Sequence, residues 1–120
     1  MRNYKSLIVW QKGIDFFMYS DWLIKKLPRE ERYETGSQLR RSALSIPSNI
    51  AEGSAYSSVP QCKMYLERSL GSAFEAETVL IAIDKSYPGL YQGELKNLFA
   101  LIEEIEKMLI SFIDRLKNGN

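Results

Sequence analysis

Apolar residues recur every three or four positions along most of this chain. The most regular run lies near its C-terminal end, where the intervals alternate between three and four; it consists of Leu95, Leu98, Ile102, Ile105, Leu109, Phe112 and Leu116. Residues three and four apart lie on the same face of an α-helix, and this alternation is that of a heptad repeat. The pattern therefore predicts a long amphipathic helix over about residues 92–117.

The same helical period occurs in three earlier stretches, which are residues 7–27, 33–52 and 60–85. Pro28 ends the first stretch because proline disrupts a continuing helix, and a turn is predicted at residues 87–89. Phe16 and Phe74 both belong to the predicted apolar faces. Four helices of similar length with short loops predict an all-α fold, an antiparallel up-down-up-down four-helix bundle in a single domain spanning residues 1–120.

Residues 38–53 combine an apolar helix face with a stripe of polar side chains on another face. The stripe consists of Gln38, Arg41, Ser45, Asn49 and Glu52. A crowded bundle would bury part of it as a hydrogen-bonded network, in which a buried charge needs a partner. We therefore expect Arg41 to pair with Glu67 or Glu75 of the following helix. Glu52 of a neighbouring chain is another candidate partner, and contact with phosphate is the alternative role for Arg41.

Gly53 comes directly after this segment and before a run of small residues. Glycine readily adopts the left-handed conformation that ends many helices. We therefore predict that Gly53 lies just past the end of the second helix. Pro60 suits the first turn of the third helix, because its missing N–H is not needed there.

The apolar faces are wider than the core of one bundle requires. Several aromatic residues are candidates for a second buried surface; they are Trp10, Tyr19, Trp22, Tyr65 and Phe99. Large apolar patches on a protein surface commonly mark interfaces with other chains. We therefore predict a homo-oligomer, and the alternative is a lone bundle with a few exposed aromatic side chains.

The formal net charge of the chain is only +1, which lacks the large positive excess typical of nucleic-acid-binding domains. The charge is unevenly placed, because residues 1–41 hold nine Lys and Arg against five Asp and Glu. The candidate nucleic-acid-binding residues in this part are Lys25, Lys26, Arg29, Arg32 and Arg40. They either lie in solvent at a helix end or contact phosphate groups.

The residue types present make enzymatic chemistry the weakest hypothesis. The chain has no histidine and one cysteine, so it lacks the commonest general base and any Cys-rich metal site. The carboxylates Glu67, Glu75 and Glu77 lack the Glu-x-x-His motif of di-metal bundles. We expect no catalytic residue, no metal and no cofactor. Because no signal peptide or membrane span fits the sequence, we also expect a cytoplasmic protein without membrane contact.

The sequence resembles a known family, the four-helix-bundle proteins of the 23S rRNA intervening-sequence family. The resemblance covers nearly the whole chain and is carried by residues 7–12, 28–33, 38–53, 65–72 and 75–78. Its most specific part is residues 41–42 followed by residues 45–53. Members are bacterial, and some are encoded within insertions in 23S rRNA genes, so their name reflects gene position rather than a demonstrated role.

The family is in turn similar to the accessory variability protein of diversity-generating retroelements. That protein is a pentameric four-helix barrel that binds nucleic acid and a reverse transcriptase. The resemblance implies that this chain forms a closed, ring-like homopentamer. One departure matters, because the retroelement protein is strongly basic whereas this chain is nearly neutral.

Taken together, these observations predict a non-enzymatic oligomeric scaffold that binds RNA or another nucleic acid through a basic rim. Five copies of a weak basic patch around a ring could bind with useful avidity. The alternative is a protein–protein adaptor with no nucleic-acid role, which the near-neutral charge favours.

Overall fold

The computed structural model describes residues 3–118, and every regular element within that range is helical. Five α-helices follow a short 3₁₀ turn at Tyr4–Ser6; they are α1 (Ile8–Lys26), α2 (Arg29–Tyr33), α3 (Thr35–Ser54), α4 (Val59–Ser86) and α5 (Gln92–Lys117). Because α2 is a single turn of five residues, four long helices form the fold. The all-α, four-helix prediction is confirmed, and the long helices begin and end within two residues of the expected positions.

The helix ends follow the local sequence. Lys25 and Lys26 occupy the last turn of α1, where positive charge is favourable beside the partial negative charge of the helix end. Pro60 lies in the first turn of α4, as predicted. In the turn before α5, Gly89 has a φ of 77°, a left-handed conformation that side chains disfavour. Local composition therefore accounts for the end of α1, the start of α4 and the turn before α5.

The prediction for Gly53 is wrong. The helix α3 continues through Gly53 to Ser54, and no glycine of residues 3–118 except Gly89 has a positive φ. Gly53 is buried against α4 instead, where an added Cβ would lie 3.0 Å from the Tyr65 Cβ and 3.2 Å from the Cys62 carbonyl oxygen. The physical reason for the glycine is thus the close approach of two helices, which any side chain at this position would obstruct.

The four long helices enclose one hydrophobic core. The helix α3 packs against α1 and α4, and α5 packs against the same two helices on the other side. The fully buried side chains of this core include Phe16, Leu23, Leu39, Ile46, Leu66, Leu80, Ile102 and Ile105. A second close approach joins α1 to α3, because Pro47 lies inside α3 with its ring against Gly13. A Cβ at Gly13 would lie 3.3 Å from the Pro47 ring.

Not every residue assigned to an apolar face is buried. Phe16 on α1 has no exposed surface, whereas Phe74 on α4 is 48% exposed. The first five heptad positions of α5, from Leu95 to Leu109, are buried as predicted, whereas the last two, Phe112 and Leu116, are only partly buried. Phe74 therefore belongs to the outer surface of the bundle and not to its core.

Candidate interaction surfaces

The five candidate nucleic-acid-binding residues lie at one end of the bundle, around the connection from α1 to α3, and all five are exposed. Four of them have partners within the chain. Lys25 pairs with Asp21 (Nζ to Oδ2, 3.1 Å), and Arg40 pairs with the other oxygen of the same carboxylate. Lys26 Nζ lies 2.5 Å from Glu94 Oε2 on α5.

Arg32 and Arg40 make further contacts that fix their positions. Arg32 Nε donates a hydrogen bond to the Leu27 carbonyl oxygen at 2.8 Å. The Arg40 guanidinium lies 4.9 Å from the Phe17 ring centroid, a cation–π contact. Arg29 is the exception, because it is exposed and forms no ion pair with any residue from 3 to 118.

Acidic groups therefore offset most of the positive charge at this end. Asp21 accepts two basic partners, and the hydrogen bond from Lys26 holds the pKa of Glu94 below its ordinary value. Glu30 and Glu34 add exposed carboxylates beside Arg29. A patch in which opposite charges alternate attracts phosphate less than the count of basic residues suggests.

The polar stripe on α3 is organised differently from the expected network. Asn49 Nδ2 donates to the Ser45 carbonyl oxygen and lies within hydrogen-bond distance of Ser45 Oγ, both at 2.9 Å. Ser72 Oγ on α4 donates to Ser45 Oγ at 2.8 Å. Nearby, the buried Ser69 hydroxyl donates to the Ile46 carbonyl oxygen at 2.8 Å. The hydrogen bonds that join α3 to α4 are thus made by small neutral side chains.

The charged members of the predicted network lie outside these hydrogen bonds. Arg41 is exposed, and within the described chain it pairs with neither Glu67 nor Glu75. Its pairing with Glu52 of a neighbouring chain stays a prediction. Glu67 pairs instead with Lys63 one turn away, at 3.4 Å. The other charged or amide members, Gln38, Glu52 and Glu75, are also exposed. Because the Arg41 side chain is exposed to solvent in the single chain, its charge needs no carboxylate partner there.

An exposed aromatic pair lies on α1, on the side that faces α5. Trp22 is 53% exposed and Tyr19 is 43% exposed, with ring centroids 5.2 Å apart. The two rings line an open groove of about 420 Å³ together with Asn97 and Leu98 of α5. At the other end of the same two helices, a groove of about 530 Å³ is lined by apolar and basic side chains, among them Leu7, Ile8, Met108, Phe112 and Arg115. The α1/α5 face therefore carries a groove with apolar side chains at each end, and the Lys12–Glu104 ion pair joins the two helices between them.

A second aromatic group lies beside the α3–α4 connection. The sequence did not show that its members lie together. The rings of Tyr56 and Tyr65 stack with centroids 5.4 Å apart, and the Arg68 guanidinium lies 5.0 Å from the Tyr65 centroid. The spacing of Tyr65 and Arg68 on one helix face was visible in the sequence, but the position of Tyr56 in a loop was not. Tyr56 and Arg68 both contact the Tyr65 ring, so the three side chains satisfy one another within the chain.

One buried acid was also missed. Glu106 on α5 is only 9% exposed, and its Oε2 atom has no hydrogen-bond partner among the described residues. Burial, a hydrogen bond with Glu77 of α4 and the charges of Glu77 and Glu103 together raise the pKa of the Glu106 carboxyl to about 8. The sequence signal for its burial was its position four residues after Ile102, because residues four apart lie on the same face of a helix.

Catalytic and metal-binding features are sparse in the described structure. Among residues 3–118, no three His, Cys, Asp or Glu side chains are grouped so that they could hold a metal ion. Cys62 is buried, and its burial raises the pKa of the thiol, which disfavours the reactive thiolate. No helix in the described part of the chain is long and apolar enough to cross a membrane.

The model of one protein family matches residues 5–111, which is most of the chain, and its description is the 23S rRNA-intervening sequence protein. This chain belongs to that family. A crystal structure from Bacteroides thetaiotaomicron, of a protein with unknown function from the S23 ribosomal protein family, is similar to this 23S rRNA intervening-sequence protein with a TM-score of 0.80 and 26% identity. The alignment covers 88% of this chain and 98% of that one. No curated protein matches the chain significantly.

Proposed function

We propose that this intervening-sequence protein is a non-enzymatic scaffold that assembles with copies of itself and binds protein rather than RNA. The single observation that carries the proposal is the α1/α5 face, where Tyr19 and Trp22 are both more than two-fifths exposed beside a groove. Exposing two neighbouring aromatic rings to water costs free energy that an interface would recover. By the family resemblance, the assembly is a ring-like homopentamer of up-down-up-down bundles.

Two features of charge support protein over nucleic acid as the partner. The net charge is +1, and four of the five candidate basic residues are occupied by Asp21, Glu94 or a backbone carbonyl. A phosphate would have to compete with these partners. On the α1/α5 face, the rings of Tyr19 and Trp22 contact each other and solvent, and the Lys26–Glu94 ion pair lines the same groove.

Trp22→Glu is expected to weaken self-association of the chain by at least about 30-fold, because a large aromatic at the centre of an interface commonly contributes 2 kcal/mol or more. The measurement is the molecular mass in solution by analytical ultracentrifugation over a concentration series. We expect the wild-type protein to sediment as an assembly and the variant as a monomer of unchanged helicity.

Tyr33→Glu is the matched control, because Tyr33 is an even more exposed aromatic on α2, away from the α1/α5 face. It should leave the assembly intact. A wild-type protein that is monomeric at all concentrations, or a Trp22→Glu variant that assembles normally, contradicts the proposal.

Binding of RNA at the basic end is the second candidate function, and the observation that favours it is the unpaired exposed Arg29 within a cluster of exposed basic residues. Under our proposal, structured RNA binds weakly, and Arg29→Glu binds it no less well than wild type. The measurement is fluorescence anisotropy with a labelled RNA hairpin across a salt series. Lys117→Glu, which makes the same charge change at the C-terminal end of α5, is the control.

The outcome of the salt series separates the two functions. Affinity that falls steeply with salt, and that Arg29→Glu reduces while Lys117→Glu does not, would establish phosphate contacts at the basic end. That result would replace protein by RNA as the partner.

A further inference from the structure

The charge least explained by the fold is Glu106, which lies between fully buried residues of α5. Its neighbours Ile105 and Leu109 have no exposed surface, and Glu106 itself is 9% exposed. A carboxylate in such a position needs an ion-pair or hydrogen-bond partner. No cation of residues 3–118 supplies one, and the Oε2 atom is buried without a hydrogen-bond partner.

The groups that face Glu106 are themselves acidic. From α4, the half-buried Glu77 lies across the helix contact, and from α5 itself Glu103 lies one turn earlier. The other helix packed against α5 is α1, and its Lys12 binds Glu104 at 2.9 Å instead. Two carboxyl groups that meet in a poorly solvated seam cannot both be ionised without strong repulsion.

We propose that Glu77 and Glu106 share one proton across the seam between α4 and α5, and that loss of this proton at alkaline pH loosens the seam. The shared proton converts one carboxyl into a hydrogen-bond donor, which gives the orphaned Glu106 oxygen a partner. It also leaves a single negative charge on the pair. The seam is therefore a pH-sensitive contact built into the fold.

The direction of the effect follows from the raised pKa of Glu106, which burial and Glu77 bring to about 8. In the unfolded chain this carboxyl returns to an ordinary glutamate pKa, so the folded protein holds one more proton between the two values. The stability that this proton contributes is complete below the pKa of the unfolded chain. It is lost as pH rises through the pKa of Glu106 in the folded protein. Each pH unit in that window raises the unfolding equilibrium constant by up to about tenfold.

The test is denaturant unfolding of the full chain at fixed protein concentration between about pH 5 and pH 9, because the window is set by the glutamate pKa values. We expect the free energy of unfolding of the wild-type protein to fall steadily as pH rises to about 8. For Glu106→Gln we expect no such fall over the same pH range. An amide can donate a hydrogen bond to Glu77 at every pH, so this variant keeps the seam closed. Glu75→Gln, an exposed carboxyl on another face of α4, should keep the wild-type pH dependence.

A carbon-13 NMR titration of the glutamate carboxyl groups in the folded protein tests the shared proton independently of unfolding. We expect one glutamate to titrate near neutral or mildly alkaline pH, and to titrate at lower pH in Glu77→Gln. The proposal is overturned if every glutamate titrates in the ordinary acidic range, or if Glu106→Gln and wild type have the same pH dependence of unfolding.

Discussion

Phe16→Ala is expected to lower the free energy of unfolding by about 3–5 kcal/mol, the range typical of removing a fully buried phenylalanine. Phe16 has no exposed surface and lies on α1, which packs against both α3 and α5. Alanine would leave a cavity that rigid helices fill only in part, so the loss combines transfer free energy with the cavity. The measurement is the denaturant midpoint at fixed protein concentration.

Phe74→Ala is the matched control, because the same atoms are removed from a side chain that is 48% exposed. We expect a loss of less than about 1.5 kcal/mol, since much of that ring is already in water. Similar losses for the two variants would contradict the assignment of Phe16 to the core and of Phe74 to the surface.

The contrast between these two phenylalanines shows what hydrophobic spacing can and cannot predict. Periodicity identifies which residues belong to a helix, and it placed the long helices almost correctly. It gave both phenylalanines to apolar faces. Which part of a wide apolar face is covered depends on where the neighbouring helices lie, and that information is not local in the sequence. The heptad seam of α5 was predicted better because it is narrow and repeats.

The candidate site shows the same limit for charges. The pairing of Lys25 with Asp21 is visible in the sequence as an i, i+4 spacing on one helix. The partner of Lys26 is Glu94, 68 residues along the chain, and no local pattern connects the two. Folding therefore places carboxylates that are distant in the sequence beside the basic cluster, and they neutralise much of its positive charge.

Glu106 was missed for a different reason. A strict seven-residue repeat assigns the residue after Ile105 to a flanking position, which is commonly charged and exposed. An α-helix has 3.6 residues per turn, so a residue four positions after Ile102 lies close to the same face. Because α4 is packed against that flank of α5, the flanking position is buried.

Gly53→Leu is expected to lower the free energy of unfolding by about 3 kcal/mol, at the upper end of the cost of overpacking a close contact. A Cβ at Gly53 would lie 3.2 Å from the Cys62 carbonyl oxygen, which belongs to the backbone of α4 and cannot rotate away. The remaining leucine atoms would push the two helices apart. For a domain of this size, that loss corresponds to a decrease in Tm of about 10 °C, measurable by circular dichroism.

Gly71→Leu provides the comparison on α4, because an added Cβ at Gly71 would meet no atom within 4 Å. Leucine is a better helix former than glycine, so this variant should gain about 0.5–1 kcal/mol. Opposite signs for the same substitution would establish that Gly53 is retained for the close approach of α3 and α4, and not for the flexibility of a helix end. If Gly53→Leu were neutral while keeping the helical spectrum, α3 would have to end before Gly53, as the sequence pattern alone suggested.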